Sequence, residues 1–315
     1  MNLKSRYTVS VLLVLCFVIP LNALGQSERV EGKLRVVSST SIVGDVVHHI
    51  AGDRVALSIL MGPSKDPHAF EPTPRDMARV EEADILFLNG FGLEEGLIHV
   101  LETVNVNRTV EVSSTISPHE MEEDLDQEEH HHGAVDPHTW MSPMNVVKWV
   151  DVIQTTLSEV DPENSSYYKS NAATYKAELL SLHDEIKKLL SSIPADQRNL
   201  VSDHKSLGYY SDEYDLKVIG TILPNTSTSA DTSAKHLAYL IEFLKEHKVR
   251  AIFLGKTSGD DVRKLSDAVR QELGYDVQVL TLLSGSLQEE GEVGDSYLNY
   301  MMYNTIQIKK GLAGE

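Results

Sequence analysis

Beyond residue 33, short runs rich in Val, Ile and Leu alternate with stretches whose apolar residues recur at helical spacing. Runs at 34–37, 55–60, 85–88 and 109–112 read as strands, with helical patterns at 42–51, 74–82 and 94–103 between them. The alternation returns later, with strands at 200–203, 218–222, 251–254 and 277–280 and helices at 233–246, 260–273 and 297–309. Strand, helix and strand in regular succession predict an α/β fold with parallel sheets covered on both faces, here in two lobes of similar plan. Between the lobes, Ala172, Tyr175, Leu179, Leu182, Ile186, Leu189 and Ile193 form one apolar stripe, opened by Asp161-Pro162 and closed by Pro194. A helix of about 30 residues spans roughly 45 Å, enough to act as a rigid strut between the lobes. A coiled-coil seam is the weaker alternative, because the stripe is short and contains Ala and Tyr.

The first 25 residues follow another pattern. Lys4 and Arg6 precede an apolar run from Val9 to Pro20, and Ala23-Leu24-Gly25 is similar to a small-x-small cleavage site. A signal peptide is expected over 1–25, with cleavage near Gly25 and a periplasmic or secreted product. Cys16 follows Leu15, where a lipoprotein signal normally has a small residue, so no lipid anchor is expected. Cys16 is the only cysteine, and its loss with the leader excludes thiolate zinc fingers, iron–sulfur clusters and thiol catalysis. The expected division is an N-terminal lobe over 26–160, a connecting helix over 161–194 and a C-terminal lobe over 195–315. With 47 acidic against 28 basic side chains, the net charge is −19, and losing Lys4 and Arg6 makes it more negative. Such a surface repels nucleic acid and attracts cations.

Candidate chemistry lies in loop histidines. Asp66-Pro67-His68 and Asp136-Pro137-His138 repeat one tripeptide, and Asp203-His204 adds a third acid-flanked histidine behind an apolar run. A single Asp-Pro-His reads most simply as a turn starter. Three acid-flanked histidines together point to a metal site assembled from distant segments. Neutral imidazoles bind divalent transition metals, and an adjacent carboxylate holds the second ring nitrogen; Asp66, Asp136 and Asp203 are the candidates for that supporting role. Proline stiffens each turn and reduces the entropy lost on binding. The acidic segment 113–133 ends in His130, His131 and His132, candidates for secondary metal capture, and His119 stands near its start. His48, His49, His99, His183, His236 and His247 fall on helical patterns, where packing explains them. Trp140 beside His138 is expected to pack against the cleft wall.

Set into this architecture, the motifs carry a resemblance. Ser41-Ile42-Val43-Gly44-Asp45, Ala51-Gly52-Asp53, Gly62-Pro63, Asp66 through Pro74, Ala83-Asp84, Asn89-Gly90-Phe91-Gly92-Leu93-Glu94 and Asp136 through Pro143 resemble the cluster A-I substrate-binding proteins of ABC transporters, the zinc and manganese binders. The resemblance implies two Rossmann-like lobes joined by a rigid backbone helix, with metal in the cleft. It implies His68 and His138 as ligands from the first lobe and His204 from the second, where manganese-binding relatives often have Glu. That histidine favours Zn²⁺ over Mn²⁺ or Fe²⁺. The second lobe departs from the pattern: Leu283-Ser284-Gly285-Ser286-Leu287 places Gly285 where an acidic ligand is expected, and Ile252-Phe253-Leu254 runs into Gly255 where relatives often have Glu. The expected site is therefore three histidines completed by water or chloride, or by a loop acid such as Asp66, Glu289 or Glu290.

The implied activity is capture of a divalent metal ion and its delivery to an ABC transporter permease, by a monomer that is not an enzyme and binds no nucleic acid. Two other classes compete. A three-histidine zinc with an open position could serve a hydrolase, but the sequence offers no recognisable general base or oxyanion stabiliser beside it. An adhesin is the other alternative, since some relatives are surface proteins.

Overall fold

Both halves adopt the predicted alternation in the computed structural model, which describes residues 32–101, 106–119, 135–223, 228 and 233–314. The leader and His130, His131 and His132 lie outside the described residues. In the first half, β1 (Leu34–Thr40), α1 (Ser41–Ala51), β2 (Val55–Met61), α2 (Pro74–Glu81), β3 (Ile85–Leu88), α3 (Glu95–Leu101) and β4 (Thr109–Glu111) build a parallel sheet of order β2-β1-β3-β4. After α4 (Pro143–Val160) and α5 (Ser165–Leu190) come β5 (Asn199–Ser202), α6 (Gly208–Glu213), β6 (Lys217–Thr221), α7 (Ala234–Glu246), β7 (Ala251–Gly255), α8 (Asp260–Leu273), β8 (Gln278–Leu282) and α9 (Tyr297–Ala313). The second sheet has the equivalent order, β6-β5-β7-β8, again parallel. Among the described residues, no helix is long and apolar enough to cross a membrane.

The strut is present with adjusted ends. A 3₁₀ turn, Pro162–Asn164, precedes a 26-residue α5 whose buried stripe is Tyr168, Ala172, Tyr175, Leu179, Leu182, Ile186 and Leu190. Ile193 precedes Pro194 and is steered out of helical geometry, so α5 ends at Leu190 instead of running to the proline. Helix α4 adds an element to the predicted set. Ser142 caps it by accepting a hydrogen bond from the Asn145 amide, Pro143 supplies its first residue, and Val146, Trp149, Val150, Ile153 and Leu157 are buried along it.

Side-chain alternation on the strands assigns the two faces of each sheet. In the first sheet, Val36, Ile85 and Phe87 point one way, while Val37, Leu86 and Leu88 pack beside Val80 and Leu97 of α2 and α3. In the second, Ile252 and Leu254 pack with Leu240, Leu244, Val262 and Val269 of α7 and α8, while Ala251 and Phe253 face the opposite side. The inner faces of both sheets join one continuous core that also contains the α5 stripe, Trp149 of α4 and Tyr297, Tyr300, Met301, Ile308 and Leu312 of α9. The described residues from Lys33 onward consequently form a single compact unit, even though they contain two sheets. The loops at the carboxyl ends of both sets of strands converge, the usual place for a ligand in open parallel sheets.

Candidate metal centre

Three loops bring the predicted histidines together. His68 sits on a 3₁₀ turn, Pro67–Ala69, beyond β2; His138 immediately precedes the turn Thr139–Met141; His204 lies just beyond β5. The Nε2 atoms of His68 and His138 are 3.1 Å apart, and those of His138 and His204 3.3 Å. One ligand atom from each of the three lies within 4.8 Å of the others. Zinc–nitrogen bonds of about 2.0–2.1 Å at tetrahedral angles separate the nitrogens by roughly 3.3 Å, so this spacing suits one small cation. His138 and His204 are buried, while His68 is partly exposed.

The flanking acids divide their tasks. Asp136 Oδ1 accepts from the His138 amide at 2.9 Å and faces its Nδ1 at 2.8 Å; Asp203 Oδ1 does the same for His204, at 2.9 and 2.8 Å. Each carboxylate thus holds Nδ1 as the protonated nitrogen and directs Nε2 inward. Asp203 Oδ2 accepts from the Gly255 amide at 2.8 Å and from the Ser258 hydroxyl. A side chain at 255 would meet this carboxylate, its added Cβ lying 2.9 Å from Asp203 Oδ2 and 2.4 Å from Ser284 Oγ. Asp66 departs from the expected pattern: Oδ1 accepts from the His68 backbone amide at 3.0 Å, and Oδ2 from Thr228 Oγ1 at 2.6 Å. It shapes the turn that carries His68 instead of bonding the imidazole.

Burial and neighbouring charge separate the three rings. Burial, reinforced by the other two imidazoles, lowers the pKa of His68 to about 2. Burial also lowers that of His138, although Asp136 opposes the shift. Burial pulls His204 down too, but the Asp203 carboxylate overrides it and leaves the value raised. Burial would push Asp203 up; instead His204, Ser258 and Gly255 hold it well below the usual carboxylate range.

Other groups fix the site without joining it. Asn89 Nδ2 donates to the Pro137 carbonyl at 2.9 Å. The buried Glu94 carboxylate holds the Asn89 loop, accepting from the Asn89 amide at 2.6 Å, the Gly90 amide at 3.2 Å and Ser39 Oγ at 2.6 Å. Asn89 and Glu94 stood out in the sequence only as part of a motif, because a buried acid that organises a turn has no spacing signature. Trp140 packs beside the His138 ring and donates from Nε1 to the Ser284 carbonyl at 3.0 Å, as expected of a wall residue. His119 stacks on Tyr209 and pairs with Asp212 at 3.0 Å. Among the described residues, the metal-sized cluster contains the three histidines and no acid. Glu289 and Glu290 are exposed, and Gly285 is buried.

The chain is similar to known proteins over nearly the whole of its folded length. The model of the family described as "ZnuA: Zinc-uptake complex component A periplasmic" matches residues 36–311. A manganese-binding lipoprotein, MntA, of Halalkalibacterium halodurans is 31% identical, covering 92% of this chain and 91% of its own. The manganese ABC transporter substrate-binding lipoprotein PsaA of Streptococcus mitis is 29% identical, covering 99% of this chain and 100% of its own. The structure of the periplasmic zinc-binding protein TroA from Treponema pallidum superposes with a TM-score of 0.80 at 29% identity, covering 89% of this chain and 99% of the other. Because these relatives include named lipoproteins, the expectation that no lipid anchor is present draws no support from them. With the family match running nearly the whole length of the folded unit, the chain belongs to the ZnuA family and is a metal-binding ABC transporter substrate-binding protein, not an enzyme.

Proposed function

We propose that this protein captures Zn²⁺ through Nε2 of His68, His138 and His204, outside the cytoplasm, and delivers it as cargo to an ABC permease. The observation that carries the reading is three converging imidazole nitrogens with, among the described residues, no carboxylate in the cluster. Nitrogen donors and the Irving–Williams order both favour Zn²⁺ over Mn²⁺, which prefers oxygen ligands. Asp136 and Asp203 hold two of the rings in the binding tautomer, and Asp66 holds the turn of the third. Water or chloride completes the coordination. The protein works as a monomer, with its lobes at 26–160 and 195–315 and the connecting helix within 161–194.

Mn²⁺ is the second reading, favoured by the relatives named for manganese. Competitive titration of the purified protein with Zn²⁺ and Mn²⁺ separates the two. The expected result is a strong preference for Zn²⁺ that is lost when His68, His138 or His204 is changed to Ala. Near-equal affinity for both ions would overturn the zinc assignment, and full affinity in any one of the variants would remove that residue from the ligand set.

A further inference from the structure

Gly285 is buried on the segment that follows β8, and its geometry concerns a residue on the other side of the cleft. A Cβ added at 285 would lie 2.5 Å from Pro67 Cδ, closer than real carbon atoms approach, and 3.0 Å from Pro67 Cγ, tighter than most real contacts. Pro67 is the residue before His68, and its ring has no free rotamer by which to withdraw.

Neither side of this contact has slack. On one side the Ser284 carbonyl accepts from Trp140 Nε1 at 3.0 Å and from Tyr300 OH at 2.7 Å. Leu287 donates from its amide to Ser41 Oγ at 3.0 Å, and its carbonyl accepts from the Ser64 amide at 2.9 Å. The glycine is thus fastened before and after to the first half of the chain. On the other side Asp66 clamps the turn through the His68 amide and Thr228. A side chain at 285 is accommodated most directly by moving the Pro67 turn, and the His68 imidazole with it.

We infer that Gly285 is a positioning residue for metal binding: its missing side chain lets the Pro67 turn seat against the 284–287 segment and sets where His68 Nε2 lies. The inference rests on the reading of His68 as a ligand. It gives the glycine a steric part in place of a lost coordinating one. An acid at 285 would enter the space of the Pro67 ring and displace a ligand instead of adding one.

The test is competitive Zn²⁺ titration against a chromophoric chelator, with the thermal midpoint of each metal-free protein measured alongside. Gly285→Ala should weaken Zn²⁺ binding by about tenfold or more, as overpacking a rigid contact does. Adding Pro67→Ala removes the obstructing ring atoms, so the double variant should bind within about threefold of Pro67→Ala alone, the non-additivity expected of two residues in contact. That comparison remains readable if the single alanine variant fails to fold. A purely structural role would shift the midpoint without this rescue of affinity. Gly285→Asp should bind both Zn²⁺ and Mn²⁺ more weakly than the parent chain. Parent-like affinity in Gly285→Ala, absence of rescue in the double variant, or tighter binding by Gly285→Asp would each overturn the inference. His68→Ala separates the two levels: retained affinity there overturns the ligand reading and this inference with it, whereas lost affinity alongside an unaffected Gly285→Ala overturns the steric role alone.

Discussion

Each oxygen of Asp203 has its own work: one faces His204, the other gathers the Gly255 amide and the Ser258 hydroxyl. Asp203→Asn removes the charge and should lower Zn²⁺ affinity by about 10–100-fold, the usual effect of removing the carboxylate behind a ligating imidazole, as read by chelator competition. The sign of the pH dependence follows from the same pair. A proton on His204 Nε2 excludes the metal, and Asp203 raises the pKa of this imidazole above its ordinary value of 6.5. His68, at about 2, takes up no proton near neutrality. Zn²⁺ affinity should therefore begin to fall as pH drops through the raised value of His204, with a slope of about one proton per ion and not three, measurable by titrations at stepped pH. Asp203→Asn should move that fall to lower pH. The histidines were legible because Asp-Pro-His occurs twice; the different part played by Asp66 was not, because adjacency in sequence does not say whether a carboxylate meets a ring or a backbone amide.

At the scale of elements, the strands and most helices follow from periodicity, since both sheets are built from short apolar runs between amphipathic helices. Helix α4 carries the signals too, with Ser142-Pro143 at its start and buried residues at helical spacing, but its start coincides with the end of the motif that holds the second Asp-Pro-His. Periodicity could not reveal which strand face meets which helix, and so the shared core was invisible. Its consequence is testable at Leu179, buried at the centre of α5. Leu179→Ala should cost about 2–5 kcal/mol in chemical denaturation, the usual range for a buried leucine. The loss should appear in one transition common to both halves. Trp140 and Trp149 report on the shared core by fluorescence, and circular dichroism on all helices; coincident curves support one cooperative core, and separated curves contradict it.

For the whole molecule, one core behind both sheets opposes wide hinge opening. Small-angle scattering should show little change in overall dimensions on adding Zn²⁺, and a large compaction would contradict a rigid strut. Bound ion should still stabilise the fold, by about 2.7 kcal/mol at a free concentration one hundred times Kd, seen as a raised thermal midpoint that a chelator reverses. The unequal exposure of the three histidines bears on unloading. Among the described residues, His138 and His204 are buried and His68 is partly exposed. If the three histidines hold the ion as proposed, incoming donors would meet it at that border, and the coordination bonds should exchange in sequence, the outermost nitrogen first.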